Sequence, residues 1–334
     1  MVNYLELGLL AFLLSLVGSW AFLRVARRLR LGKHIREYGP EIHAKKEGTP
    51  TMGGLVVLLV FAATLLVAWS WEGIPSPRLL LLLGATLGYG GIGLLDDLLA
   101  LARRRSLGLL IRYKLLLQLA LAGTLFWALR LAGIPAEAKV PFAQLWLEMP
   151  LWLHGLLAIL VLVCTTNAMN LTDGLDGLAT GVTVIVLLPF LWVLRGEPAL
   201  DLWGAIVIFS GALGGFLWFN CYPARVFLGD TGSLALGGFL GMLALLSGAS
   251  LVLPLLGGVL VAEALSVMLQ VASYRLFKIR IFKVSPLHHH FERAKGVDYR
   301  FLLPNRELEE PQITVRFWLA SGIFALLGLW AWLA

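Results

Sequence analysis

NAMNLTDGLDGLA, residues 167–179, joins two strongly apolar runs, 151–169 and 178–195. Asn167, Asn170, Asp173 and Asp176 step through it at three-residue spacing. On a helix they form a slowly rotating stripe of close neighbours. Gly174 and Gly177 break helix propensity and permit close backbone approach, so a helix end followed by a ligand-gripping loop fits equally well. The flanks decide the fold class, since each approaches the roughly 20 residues a helix needs to cross the hydrocarbon layer. Eight further runs of this kind lie near 4–24, 52–71, 79–95, 115–134, 202–219, 231–248, 250–270 and 315–333. The chain is 59% hydrophobic and 14% charged, with a mean hydropathy of +0.84. A soluble protein of 334 residues needs more polar surface than that. The expected architecture is an all-α polytopic membrane protein of about ten spans, forming a single transmembrane domain over 1–334. The long polar segment 271–314 has room for an amphipathic or short helix.

Lys and Arg set the orientation. With basic residues at run ends counted in the following loop, loops after odd-numbered runs hold 8, 5, 0, 1 and 8, a total of 22. Loops after even-numbered runs hold four: Arg78, Arg130, Lys139 and Arg195. This bias puts the odd loops in the cytoplasm and both termini on the outer side. The net charge of +7 is then mostly a topology signal that also attracts anionic lipid, and it is no argument for nucleic acid. The first run lacks a preceding basic segment and a small-residue cleavage site, so it reads as a retained helix. Cys164 and Cys221 both fall near the cytoplasmic side, where a structural disulfide is not expected.

Five of the seven aspartates, Asp96, Asp97, Asp173, Asp176 and Asp230, fall on this one face from three separate loops. Helix capping accounts for Asp230 or Asp173 singly. It does not account for Asp96 and Asp97, which end a helix where negative charge opposes the dipole. A carboxylate in a span costs roughly 2.5–3.5 kcal/mol, so a gathered set implies a purpose. Converging carboxylates beside basic residues suit a divalent cation and a phosphorylated ligand.

Lys114 and Gln118 lie one turn apart at the start of the fourth run; Lys114 alone would read as a snorkelling lysine. Arg103, Arg104 and Arg105 read as topology determinants. Glu263 and Gln270 sit two turns apart in the ninth run, and an intramembrane glutamate is a functional hypothesis by default. The triplet in PLHHHFE (286–292) points three ways on a helix, which suits phosphate contact or proton handling better than zinc. GYGGIG (88–93) lacks a preceding strand and reads as helix packing, not a dinucleotide fingerprint. GTPTMGG (48–54) follows Lys45 and Lys46 at a helix entrance, a place where backbone amides and lysine can receive phosphate.

Together, HAKKEGTPTMGG (43–54), DD (96–97), RYKLLLQ (112–118), NAMNLTDGLDGLA, NCYPARVFLGDTGS (220–233), EALSVMLQVASYR (263–275) and PLHHHFE resemble the phospho-N-acetylmuramoyl-pentapeptide transferase (MraY) family. The resemblance implies Mg²⁺-dependent transfer of phospho-MurNAc-pentapeptide from UDP-MurNAc-pentapeptide to undecaprenyl phosphate, giving lipid I and UMP. It places the protein in the bacterial inner membrane with its active site facing the cytoplasm, and it implies a homodimer.

By the same resemblance, Asp230 is the main metal ligand, with Asp97 beside it and Asp96 activating the lipid phosphate. Asp176, with the backbone of Gly174 and Leu175, grips uracil, and Phe227 stacks on it. Lys46, Thr51, Asn170, Asp173 and Gln270 contact the nucleoside, phosphate or sugar. His289 and His290 line the phosphate side as catalytic residues, Asn220 supports that side, His288 binds substrate, and Lys114 is the remaining basic catalytic candidate. Direct single-step attack is preferred over a covalent aspartyl phosphate.

The chain departs from the family pattern at Leu98 and Ala100, where tyrosine and lysine are usual, and after Glu292, where 293–314 is longer and more charged. Two rivals remain. One is a sister transferase acting on UDP-GlcNAc. The other is a secondary transporter, whose polar residues would sit at mid-membrane instead of at one face.

Overall fold

The computed structural model describes residues 3–29, 32, 48–73, 76–103, 108–195, 200–293 and 299–334; Lys45, Lys46, Arg104 and Arg105 lie outside them. Among the described residues, ten long helices overlap the ten apolar runs. They are α1 (Tyr4–Arg28), α2 (Gly54–Glu72), α3 (Pro77–Arg103), α4 (Ile111–Leu131), α5 (Leu151–Thr172), α6 (Leu178–Val193), α7 (Leu200–Asn220), α8 (Gly229–Leu246), α10 (Gly258–Phe277) and α12 (Glu310–Leu333). Short helices α9 (Leu253–Leu256) and α11 (Leu287–Phe291) fall between them. Among the described residues, eight helices have the length and apolarity to cross a membrane; the apolar parts of α2 and α6 are shorter, Gly54–Ser70 and Leu178–Val193. The protein is a polytopic, helical membrane protein.

The structure differs from the expectation in two places. The run 250–270 is divided into α9 and α10, because Pro254 begins a new helix and Gly257–Gly258 weaken its continuation. A two-stranded hairpin, β1 (Glu137–Lys139) with β2 (Trp146–Glu148), interrupts the all-α pattern. It closes one end of the bundle. The Lys139 N–H donates to Gly248 O at 2.9 Å beyond α8, and the Phe142 N–H to Ala331 O at 2.8 Å near the end of α12.

The opposite end carries the polar residues, and α8 is the element around which they gather. Of its apolar window, 94% is buried, so it is wrapped by protein and not by lipid. Its N-terminus lies backbone against backbone on α3: a Cβ on Gly93 would stand 2.0 Å from the Asp230 carbonyl oxygen. Only hydrogen fits there. Gly93→Ala is therefore expected to destabilise the bundle by about 1–3 kcal/mol through overpacking and to displace Asp230. Thermal unfolding in detergent checks this, and an unchanged melting temperature would contradict the contact.

Candidate active site

Lys114 stands at the centre of the polar end. Its Nζ is 2.5 Å from Asp230 Oδ2 and 2.9 Å from Asp96 Oδ2, and 3.4 Å from Asn170 Oδ1. Asp96 comes from the last turns of α3, Lys114 from the first turn of α4, Asn170 from the end of α5 and Asp230 from the start of α8. These residues line a cavity of about 550 Å³ together with Thr51 and Asn167. Asp97 also borders it, and the rest of its wall is apolar, including Ile111 and Leu115, both exposed on the outer face of α4. A site with a charged floor and an apolar wall suits a ligand that is phosphate at one end and hydrocarbon at the other. Asp96 is held from a second direction, since the Leu109 N–H donates to its Oδ1 at 2.6 Å.

Asp97, one residue on, turns elsewhere. Its Oδ1 accepts from the Asp230 N–H at 3.2 Å, and its Oδ2 from the Thr231 N–H at 2.9 Å and the Thr231 hydroxyl at 2.7 Å. The residue preceding α8, Leu228, supplies no side-chain cap. Asp97 thus caps α8 across the bundle, satisfying orphan N–H groups and opposing the positive end of the dipole. Both of its oxygens are occupied by α8. Asp96 and Asp230 are the two carboxylates that share a cationic partner.

The asparagines are locked in orientation. Asn170 Nδ2 donates to Asp230 Oδ1 at 3.1 Å and to Ser233 Oγ at 2.9 Å. Asn167 Nδ2 donates to Val163 O at 2.8 Å and to Gln118 Oε1 at 2.7 Å. A carboxylate and a carbonyl can only accept, so each amide must present its N–H groups to them and leave its oxygen on the other side. Thr51 is buried at the cavity wall, and its hydroxyl has no partner among the described residues, which leaves it available to a ligand.

Residues 173–176 form a turn after α5, fastened by distant elements. Asp176 Oδ2 accepts from the Ala224 N–H at 2.9 Å, its N–H donates to Glu310 Oε1 at 2.8 Å, and its carbonyl accepts from the Thr314 hydroxyl at 3.4 Å. Asp173 caps the C-terminus of α5, and Leu175 is buried. Asn220 is consumed internally, accepting from Thr180 at 2.8 Å and donating to Val226 O at 3.0 Å. Phe227, half-exposed, lies on a segment bound to the 50–54 turn: its N–H donates to Pro50 O at 2.8 Å, and its carbonyl accepts from Gly53 at 2.9 Å.

Known proteins are similar to this chain in sequence. A family model described as glycosyl transferase family 4 matches residues 79–248, and the phospho-N-acetylmuramoyl-pentapeptide-transferase signature 1 matches residues 46–58. A phospho-N-acetylmuramoyl-pentapeptide-transferase of Geobacillus kaustophilus is 41% identical over 322 residues, covering 96% of this chain and 95% of the relative. One of Bacillus subtilis is 39% identical over 322 residues, with the same coverage. The chain belongs to the phospho-N-acetylmuramoyl-pentapeptide transferase family.

In this family member the three histidines do three different things. His288 is fully buried, with Nδ1 on Glu263. His290 is buried too; its Nδ1 accepts from the Lys283 N–H at 3.0 Å, which leaves Nε2–H facing Pro304 O at 3.4 Å. Only His289 keeps part of its ring exposed, 23%, while its Nδ1 pairs with the Glu292 carboxylate. Gln270 faces inward rather than toward the cavity. Its Oε1 accepts from the Ile281 and Phe282 N–H groups, both at 3.0 Å, and its Nε2 donates to Phe282 O at 3.2 Å. Gln270 and His290 hold the described segment 278–293 in shape.

Burial holds the His290 pKa below its ordinary value. A histidine whose folded pKa is depressed stays neutral in the fold while the unfolded chain takes up a proton. The contribution is present above the unfolded value of about 6.5 and is lost progressively as pH falls from there through the depressed folded value. Amide exchange in 280–293, corrected for intrinsic rate, should therefore speed up between pH 7.5 and 5.5. His290→Gln, which takes no proton, should flatten that dependence.

Sequence reasoning did not single out Thr231, Ser233, Glu310 or Thr314 as support for the site. Glu310 lies in the charged stretch that departs from the family pattern. Its proximity to a helix start, followed by Pro311, was the available signal.

Proposed function

We infer that the protein transfers phospho-MurNAc-pentapeptide from UDP-MurNAc-pentapeptide to undecaprenyl phosphate. An oxygen of the lipid phosphate attacks the sugar-linked phosphorus; the bond joining the donor's two phosphates breaks, UMP leaves, and lipid I carries the new pyrophosphate. The observation that carries this reading is the convergence of Asp96, Asp230 and Asn170 on the Lys114 ammonium beside an apolar wall. Two polyanions must meet there, and Lys114 supplies positive charge where they do. A lipid phosphate is already largely ionised at neutral pH, its second pKa being about 6. Asp96 is therefore better placed to orient Lys114 than needed as a general base, and a single displacement suffices. The turn 173–176 takes the uracil, with Phe227 stacking on it, and the exposed edge of His289 faces phosphate.

The donor set fits Mg²⁺. Asp96 and Asp230 both contact the Lys114 ammonium, at 2.9 and 2.5 Å, which supports a shared cation site, and hard oxygens from Asn167 and Asn170 lie on the same wall. No group of three or more His, Cys, Asp or Glu suited to a metal occurs among the described residues. Mg²⁺ needs only one or two carboxylates when phosphate and water complete its shell. When bound it would neutralise phosphate charge and polarise the transferring group. Asp96 with Asp230 is the pair proposed here, Asp97 serving as the cap of α8.

The same reading places all ten long helices across the bacterial inner membrane, with α2 and α6 as short spans. The polar end faces the cytoplasm, supported by the 22-to-4 distribution of basic residues.

Release of UMP by the purified protein tests the reaction. UDP-MurNAc-pentapeptide is compared with UDP-GlcNAc, each with undecaprenyl phosphate, in Mg²⁺ and in chelator. Metal-dependent release from the muramyl donor alone is expected. A preference for UDP-GlcNAc would move the protein to the sister activity, and no release from either donor would overturn transfer altogether.

A further inference from the structure

Glu263 and His288 form a buried pair that lies outside the cavity and has no part in the mechanism above. Both side chains are fully buried, and Glu263 sits within α10, a helix apolar enough to span the membrane. A carboxylate in such a helix costs roughly 2.5–3.5 kcal/mol on insertion scales. Leucine or methionine would pack there without that cost, so packing alone does not explain the glutamate. Its partners define what it does. Oε1 accepts from the His288 backbone N–H at 3.2 Å and lies 3.1 Å from His288 Nδ1; Oε2 lies 3.4 Å from the same N–H. Main chain and ring of one residue are thus gripped by one carboxylate. With the proton on Nδ1, the ring turns its Nε2 edge the other way.

That edge meets the turn after α5. Nε2 is buried with no partner among the described residues. A Cβ on Gly174 would stand 2.1 Å from Nε2 and 2.7 Å from Cε1, so the ring rests directly on the glycine backbone. The hydrogen bonds to the turn from Ala224, Glu310 and Thr314 act on Asp176, whereas the Gly174 N–H is held locally, donating to Thr172 O at 2.9 Å. His288 supports the Gly174 half, and Glu263 fixes where His288 stands.

We propose that Glu263 is a positioning residue for the donor nucleotide: through His288 it sets the height of Gly174 and so shapes the turn that receives the nucleobase. The proposal rests on the reading that the 173–176 turn binds the base. Glu263 touches neither substrate and acts on the uridine end of the donor alone.

Steady-state kinetics of the full-length Glu263→Gln variant test it, varying each substrate at saturating levels of the other. The donor KM and the inhibition constant for UMP should both rise about tenfold, the scale of a misplaced binding contact. The kcat should stay within about twofold and the acceptor KM should not move. Glu263→Asp, which keeps the charge, should recover part of the loss. A uniform fall in kcat with unchanged KM values would show a merely structural residue and overturn the proposal. A rise in the acceptor KM alone would instead overturn the placing of the base on the turn. Should Glu263→Gln fail to fold, Gly174→Ala strains the same contact from the other side. Stabilisation of that variant by UMP equal to that of the parent would then overturn the proposal.

Discussion

Lys114→Met should lower metal-dependent UMP release by about 10²–10³-fold, the usual loss when one preorganised charge is removed from a site that stabilises an anionic transition state. Methionine matches lysine in reach and leaves the packing of α4 intact, so the loss isolates the charge. Two carboxylates, Asp96 and Asp230, would then face each other without the ammonium that contacts both at 2.9 and 2.5 Å. Lys114→Arg should recover little, because a planar fork cannot replace a point charge held between three oxygens. The measurement is UMP release at saturating substrates, beside a melting curve within a few degrees of the parent. A variant that folds normally and keeps its rate would remove Lys114 from the reaction.

Asp97→Asn is the second large effect, and it should strike stability and activity together. The carboxylate accepts three hydrogen bonds from Asp230 and Thr231 at the first turn of α8. Asparagine keeps one oxygen and turns an NH₂ group toward a donor it cannot accept from. The loss is about 3 kcal/mol, the scale of one or two charge-assisted hydrogen bonds to a buried helix end. Asp230 rides on that turn, so the rate should fall at least about 10²-fold with it. Melting temperature and metal affinity, measured together, separate cap from ligand. If Asp97 were chiefly a metal ligand, the variant would lose metal affinity at an unchanged melting temperature.

Adjacent aspartates with opposite occupations show where sequence reading stops. Asp96 and Asp97 are indistinguishable as a DD pair, yet on α3 their side chains point about 100° apart. One meets Lys114 and the other meets α8. The histidine triplet divides in the same way. The resemblance put His289 and His290 at the phosphate and His288 at the substrate, but Glu263, Lys283 and Pro304 draw His288 and His290 inward and leave His289 partly exposed. Gln270 was expected at the ligand for its place in the EALSVMLQVASYR motif, and instead it binds the backbone eleven and twelve residues on.

What the sequence determined by itself follows from local and one-dimensional physics. Apolar runs near the bilayer thickness marked the ten long helices. Basic residues concentrated in alternate loops, together with aspartates at the ends of three runs, pointed to one polar face. The NAMNLTDGLDGLA stretch read correctly as a helix end leading into a turn, one of its two open readings. The tertiary structure alone decided which polar groups face the cavity and which are spent on one another. That choice depends on partners more than a hundred residues apart, such as Lys114 with Asp230, Asp97 with Thr231 and Asp176 with Glu310. A buried polar group must be satisfied by whatever the fold brings within 3 Å, and periodicity along the chain carries no record of it.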